Sequence, residues 1–264
     1  MEASAAVQEE WARTFAREGY FIVERALEPD LLEGLRGDAD AAIAEERTSL
    51  QRGEERYVPV SQLDDRYVIS GFVRRSAFVR RFIFGELAAS ICRAAIGGEA
   101  YLYSDTFVCM APHNEHGWIW HQDSSYLDHV GCGHYPPNLG VWVALDDVTP
   151  ERGPLRVLPF SQFDARKVVP HDLNKPWDSA DVVDFGNPEG VLITVPAGSI
   201  VVTDGALPHA SETNRTDEPR RAYLIQYSRQ PVLKDGKPVQ MAVPFLQGGV
   251  RRVPTLDEIR QRTG

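Results

Sequence analysis

The segment WIWHQDSSYLDH, Trp118 to His129, sets an imidazole and a carboxylate one residue apart among strand-forming side chains. In an extended strand residues i and i+2 project to one face, so His121 and Asp123 aim together while Gln122 turns the other way. Such a pair suits two adjacent positions of an octahedral metal, and a third protein ligand would complete a facial triad with open positions beside it. His209, in LPHASETN just after the strand-like run SIVVTDG, is a candidate for that third ligand. The spacing fits equally a hydrogen-bonded His–Asp pair in a core or turn.

The elements that must position these groups fall into two textures. Ala6 to Glu18 reads as a helix, GYFIVERAL as a short strand, and Pro29 to Glu46 as a helix with apolar residues at helical spacing. AFVRRFIFGELAASICRAAIG reads as one buried helix closing at Gly97 and Gly98. Between the last two lies RTSLQRGEERYVPVSQLDDRYVISG, polar and aperiodic, expected to be a surface segment. From Tyr101 onward short β-type runs take over, YLYSDTFVCM, GVWVALDDV, LRVLP, VLITVPA, SIVVTDG and RAYLIQYS, with turn chemistry between them. The expected fold is mainly β with flanking helices, a cupin-like jelly roll or double-stranded β-helix. One domain spans 1–264: a mostly helical part to residue 100, a jelly-roll core over 101–232 and a C-terminal extension over 233–264.

Composition narrows the function classes. A net charge of −10 and a pI near 5.2, with scattered basic residues, disfavour nucleic acid or an anionic membrane as partner. Cys92, Cys109 and Cys132 are odd in number and lack CxxC spacing, which fits reduced thiols in a cytoplasmic protein rather than disulfides or a zinc knuckle. No apolar run is long enough to span a membrane.

Four stretches, taken in order, resemble the phytanoyl-CoA dioxygenase family of iron(II) and 2-oxoglutarate dependent oxygenases. They are FAREGYFIVERALEPDLLEGLR, WHQD, VWVALDDVTPERGPLRVLPFSQ and HASETNRTDEPRRAYLIQY. The resemblance implies His121, Asp123 and His209 as iron(II) ligands. It makes Arg220, eleven positions past the distal histidine, the residue that grips the distal carboxylate of 2-oxoglutarate, a task suited to a planar guanidinium fork. Arg221, on the opposite face of a regular strand, would engage only in surface pairing. Ser211 is implied as a hydroxyl partner of the same carboxylate, with Trp142 and Thr106 lining the cosubstrate pocket; a turn hydroxyl, a core aromatic and a strand former are the plainer roles for these three. Asn214 reads as structural. His113, His116, His129, His134 and His171 compete in principle for metal roles, the first two being placed in a turn.

The implied reaction consumes dioxygen, converts 2-oxoglutarate to succinate and CO2, and hydroxylates a small-molecule substrate such as a specialised metabolite or modified amino acid. Halogenating relatives carry a small residue at the carboxylate position, so Asp123 points to hydroxylation or a related oxidation. Gln162 where the family commonly has histidine, Ser199 where it has aspartate, and an upstream lysine replaced near Met110 depart from the pattern and leave acyl-CoA specificity untransferred. A redox-inactive metal hydrolase or isomerase on the same barrel, or a silent binding jelly roll, are the rival readings. Tyr101, Tyr103, Trp118, Tyr126 and Phe160 are candidate pocket aromatics. The connection from Ala165 to Val191, with His171, Trp177, Asp178 and Asp184, is long enough to be a lid.

Overall fold

The computed structural model describes residues 2–54, 61–128, 131–132, 134–163, 166–169, 185, 188–238 and 241–263. Its elements run α1 (Ala5–Glu18), β1 (Tyr20–Val23), α2 (Pro29–Gln51), β2 (Arg66–Ser70), α3 (Ala77–Ile83), α4 (Glu86–Ala95), β3 (Ala100–Met110), β4 (Trp118–His121), β5 (Asn138–Ala144), β6 (Leu155–Val157) and β7 (Val191–Ile193). They continue with β8 (Ile200–Asp204), β9 (His209–Ser211), β10 (Arg220–Ser228), β11 (Leu233–Lys234), β12 (Lys237–Pro238), β13 (Val243–Gln247), β14 (Val250–Arg251) and α5 (Leu256–Thr263).

Two antiparallel sheets carry the fold. The large one is ordered β1-β8-β5-β10-β3-β13-β14, with β2 also paired to β3; the small one is ordered β4-β9-β6-β7. This is the expected jelly-roll architecture. The large sheet is buried on both faces, and strand alternation sorts its side chains. Val141, Val143, Tyr223, Ile225, Ile200 and Val202 join the helices in one core, while Trp142, Ala144, Ala222 and Val201 meet Leu155, Val157 and Ile193 of the small sheet in another. Double coverage explains why β5, NLGVWVA, is buried at every position.

The sheet also recruits strands from outside residues 101–232. β1 pairs with β8, β13 pairs with β3, and β2 lies along β3 in the register Arg66↔Met110 to Ser70↔Thr106. The polar reading of the segment before Gly71 therefore missed a strand. Its polar residues are absorbed inside: Arg66 is buried, and the Ser70 and Thr106 hydroxyls lie 2.9 Å apart across the two strands. The single helix expected over Ala77 to Gly97 is broken into α3 and α4. Phe84 caps the first and Gly85 the second, and a Cβ at Gly85 would lie 2.8 Å from the Arg81 carbonyl oxygen. α1 behaves as expected, ending at left-handed Gly19, whose N–H donates to the Phe15 carbonyl at 2.8 Å.

Arg221 departs from its expected place on the surface. Its guanidinium grips Asp146 through both oxygens, at 3.0 Å from Nε and 2.7 Å from Nη2, and reaches Asp40 of α2 at 2.7 Å. Asp146 also accepts from the Arg221 backbone N–H at 2.8 Å and is buried. The pair ties β10 to the turn after β5 and to the helical layer. Removing one partner of a buried pair strands the other without its counter-charge. Arg221→Ala is expected to lower the unfolding free energy by roughly 2–4 kcal/mol, read from urea denaturation; a loss below about 0.5 kcal/mol would place the pair with ordinary exposed ones.

Candidate functional site

β4 ends at His121, and Asp123 opens a 3-10 turn that runs to Asp128. The two side chains therefore do not converge by strand alternation, as the sequence reading expected, but by a turn that folds the carboxylate back. Asp123 Oδ1 lies 3.8 Å from His121 Nε2 and 3.7 Å from His209 Nε2. β9 supplies His209 directly opposite His121 in the small sheet, with ring centroids 4.2 Å apart. One ligand atom from each of the three lies within 4.8 Å of the others, a grouping compatible with a single metal ion.

The imidazoles are held in one orientation. His121 Nδ1 lies 2.7 Å from the Ile119 carbonyl oxygen and His209 Nδ1 lies 3.0 Å from that of Leu207, each two residues upstream. A carbonyl can only accept, so Nδ1 carries the proton and Nε2 keeps its lone pair facing the cluster. Asp123 is 6% exposed and its Oδ2 has no hydrogen-bond partner. A buried carboxylate oxygen left unpaired is costly, and a cation between the three groups would satisfy it. Gly140 on β5 makes room for that carboxylate, since a Cβ there would lie 3.2 Å from Asp123 Oδ2 and 2.9 Å from Thr203 Oγ1.

Gln122, fully buried between the two ligands, holds the turn in place. Its Nε2 donates to the Ala206 carbonyl at 2.6 Å and the Lys167 carbonyl at 3.0 Å, while its Oε1 accepts from the Val169 N–H at 2.8 Å. Asn138 donates to Ser124 Oγ at 2.8 Å and accepts from Tyr103 at 3.3 Å. The sequence reading assigned no role to these residues. Their signal was a polar side chain facing away from the ligand pair inside an otherwise apolar stretch.

A cavity of about 250 Å³ opens between the sheets from this cluster, lined by Thr106, Trp142, Leu155, Leu224 and Gln226 among others. Arg220 has no exposed surface. Its Nη1 donates to the Val108 carbonyl at 3.1 Å, its Nη2 lies 3.1 Å from Met110 Sδ, and its Cζ lies 5.5 Å from the Trp142 ring centroid. Its Nε is buried with no partner, and no carboxylate forms an ion pair with it among the described residues. Burial lowers its pKa to about 10, which still leaves it charged at neutral pH. Gly153, at φ +55°, admits the guanidinium: a Cβ there would lie 3.1 Å from Arg220 Nε and 2.7 Å from Met110 Sδ.

The other expected residues divide. Trp142 and Thr106 line the cavity. Ser211, opposite Leu155 and Trp118, has a buried, unpartnered hydroxyl but borders the outer groove beside Trp120 and Glu212 instead. Trp118 and Tyr126 line the cavity, whereas Tyr103 packs with Leu127 and Val232, and Phe160 packs against the inter-sheet core. His113 is paired with Asp217 at 2.8 Å and His116 with Asp65 at 3.2 Å. Asn214 is buried and bridges its turn to Ala111 and Glu218. His129 and His171, and Trp177, Asp178 and Asp184 of the long connection, lie outside the described residues. Arg66, Ser104 and Gln226 line the cavity and were not anticipated.

Known proteins bear on this geometry. The chain is 27% identical over 154 residues to the L-proline trans-4-hydroxylase of Streptomyces griseoviridis, covering 51% of this chain and 56% of that protein. It is 26% identical over 249 residues to the ectoine dioxygenase of Nocardia farcinica (strain IFM 10152), covering 84% of this chain and 78% of that one. The structure of EctD from S. alaskensis with 2-oxoglutarate and 5-hydroxyectoine superposes with a TM-score of 0.66 at 21% identity, over 91% of this chain and 83% of that chain, which establishes the shared fold. Phytanoyl-CoA dioxygenase (PhyH) matches residues 15–222, a span that contains the His-Asp-His cluster, the cavity and Arg220, and the chain belongs to that family.

Proposed function

We propose that this protein is an iron(II) and 2-oxoglutarate dependent oxygenase that hydroxylates a small-molecule substrate. The carrying observation is a separation of charge along one cavity. Two oriented imidazoles and a carboxylate with a spare oxygen sit at one end, and a fully buried guanidinium without an acidic partner sits beside Trp142. The first group suits iron(II), for which two histidines and one carboxylate with further positions open are a common ligand set. The second suits the distal carboxylate of a dicarboxylic acid. A hydrolase or isomerase using the same metal ligands would have no need of Arg220. The relatives named for L-proline and ectoine support a small-molecule substrate.

When bound together, iron, 2-oxoglutarate and dioxygen supply the oxidation, yielding succinate, CO2 and a hydroxylated product. This chain's residues do the positioning. Arg220 holds the cosubstrate's far carboxylate in a dry, preformed fork, so little ordering remains to be done on binding. Trp142, Leu155 and Leu224 keep water from the space between that fork and the triad. Ile119 and Leu207, through their carbonyls, keep both Nε2 atoms available. Asp123 keeps a carboxylate where halogenating relatives have a small residue, which favours hydroxyl transfer.

His121→Ala, Asp123→Ala or His209→Ala is expected to abolish succinate formation and weaken iron binding at least about tenfold. Metal titration followed by activity assay checks this; wild-type behaviour in any of the three removes that residue from the ligand set. Gly140→Ala should push on Asp123 Oδ2 and Thr203 without removing a ligand. An iron affinity about tenfold weaker, with the circular dichroism spectrum retained, is the expected result.

Arg220→Ala should raise the half-saturating 2-oxoglutarate concentration about 100-fold or more, since a buried carboxylate loses its charge partner. Arg221→Ala, assayed below its unfolding transition, should change it less than about threefold, because its fork is spent on Asp146. Succinate release at saturating iron measures both. If neither variant alters the 2-oxoglutarate requirement, the cosubstrate assignment fails.

A further inference from the structure

We propose that Arg66, together with the Trp118 indole N–H, is an anchor for a carboxylate of the prime substrate, so that the substrates of this enzyme are small carboxylic acids. The inference rests on the oxygenase reading only in taking the inter-sheet cavity as the place where substrate binds. Arg66 is the first residue of β2 and is 4% exposed, although it lies in a segment whose composition reads as surface. Met110 is its cross-strand partner on one side and Arg220's on the other. Directly opposed residues in antiparallel strands point to the same face, so both arginines enter the space between the sheets from a single row.

They then diverge. The Arg220 guanidinium lies against Trp142 of the large sheet. The Arg66 guanidinium crosses to the small sheet, where its Cζ lies 4.7 Å from the Trp118 ring centroid and its Nη1 donates to the Gly117 carbonyl at 3.3 Å. Arg66 and Trp118 both line the cavity that the triad lines, and Trp118 stands on the same strand as His121. Trp118 Nε1 is buried and has no hydrogen-bond partner. A guanidinium stacked on an indole presents its N–H edge, and an indole N–H beside it adds a donor that cannot be deprotonated in use. Two such donor groups facing one space match the two oxygens of a carboxylate. The remaining wall is apolar except for the Gln226 amide and the Ser104 and Thr203 hydroxyls, neutral handles for the rest of a small polar ligand.

A purely architectural role is the competing account: Arg66 could serve only as a strut from β2 to β4. A strut would support every ligand alike, whereas an anchor discriminates acids from their neutral isosteres. The test uses wild type, Arg66→Lys, Arg66→Met and Trp118→Phe, each loaded with zinc(II) and saturating 2-oxoglutarate so that the Arg220 subsite is filled and no turnover is required. The probes are pyrrolidine-, cyclohexane- and benzene-carboxylic acids, each paired with its primary amide, with affinities read by saturation-transfer NMR titration. The wild type is expected to bind at least one acid at least about tenfold more tightly than its amide. Arg66→Met should bring that ratio close to one, Arg66→Lys should keep part of it, and Trp118→Phe should lower the acid's affinity several-fold while sparing the amide.

The proposal is overturned if no acid of the set binds, if amides bind as tightly as acids in the wild type, or if the preference survives Arg66→Met. Should Arg66→Met fail to fold, an unchanged ratio in both Arg66→Lys and Trp118→Phe overturns it. Failure of the oxygenase reading is seen separately, as absence of succinate from 2-oxoglutarate with iron in the wild type, and the acid–amide comparison stands whichever way that result falls.

Discussion

A guanidinium and a carboxylate are both buried in one barrel and do not meet. Arg220 is held by a carbonyl and a thioether, and Asp123 keeps an oxygen with no donor. Direct pairing would relieve both groups, since opposite charges attract strongly where water is absent. The sheet prevents it. Asp123 sits against Gly140, which pairs with Gln226 on β10, and Arg220 starts the same strand six residues away. At about 3.3 Å per residue that is roughly 20 Å between backbone positions. The two charges are therefore kept as separate, unsatisfied stations, one requiring a cation and the other an anion. Everything else in the fold either maintains that separation or offsets its cost.

The offset comes from the second face of the large sheet. Tyr223, Ile225 and Tyr227 alternate with the cavity-facing residues of β10 and pack under the helices with Phe82, Ile83 and Phe245. Tyr223 donates to Asp105 at 2.8 Å and Tyr227 to the Ile83 carbonyl at 2.6 Å, so even the polar atoms on this face are tied to the structure around them. Arg221 belongs to the same layer through Asp146 and Asp40. One strand thus carries a structural arginine and a cavity arginine side by side, with opposite faces doing opposite work.

That adjacency marks the limit of what the sequence could reveal. Short alternating runs after Tyr101, punctuated by turn residues, made the jelly roll legible, and the His-x-Asp spacing made a chelate conceivable. Parity says that Arg220 and Arg221 face apart but not which face is the cavity; that needs a third point, and Asp146 supplies it only once the chain is folded. β2 was illegible because its arginine and serine look like surface residues, and their partners, Trp118 and Thr106, lie 52 and 36 positions along the chain. The break between α3 and α4 was hidden because a single glycine is tolerated in many helices, and the close approach of the Arg81 carbonyl oxygen to Gly85 is a property of the fold.

The chelate itself shows how a correct pairing can follow from an incorrect geometry. His121 closes a strand and Asp123 opens a turn, so the relation between them is set by what holds the turn rather than by the pleat. Gln122 is that constraint. Its amide binds the Ala206 carbonyl, three residues before His209, and also both polar backbone groups of the 167–169 segment. Ser125 adds a bond to the Val169 carbonyl at 2.8 Å. The side chain between two ligands thereby fixes their turn to the approach of the third ligand and to the chain beyond β6. A displacement of residues 167–169 would be transmitted to the carboxylate through two hydrogen bonds to one buried amide, with no intervening flexible side chain to absorb it. Position in this triad is thus enforced from behind, by a residue that faces away from the metal site.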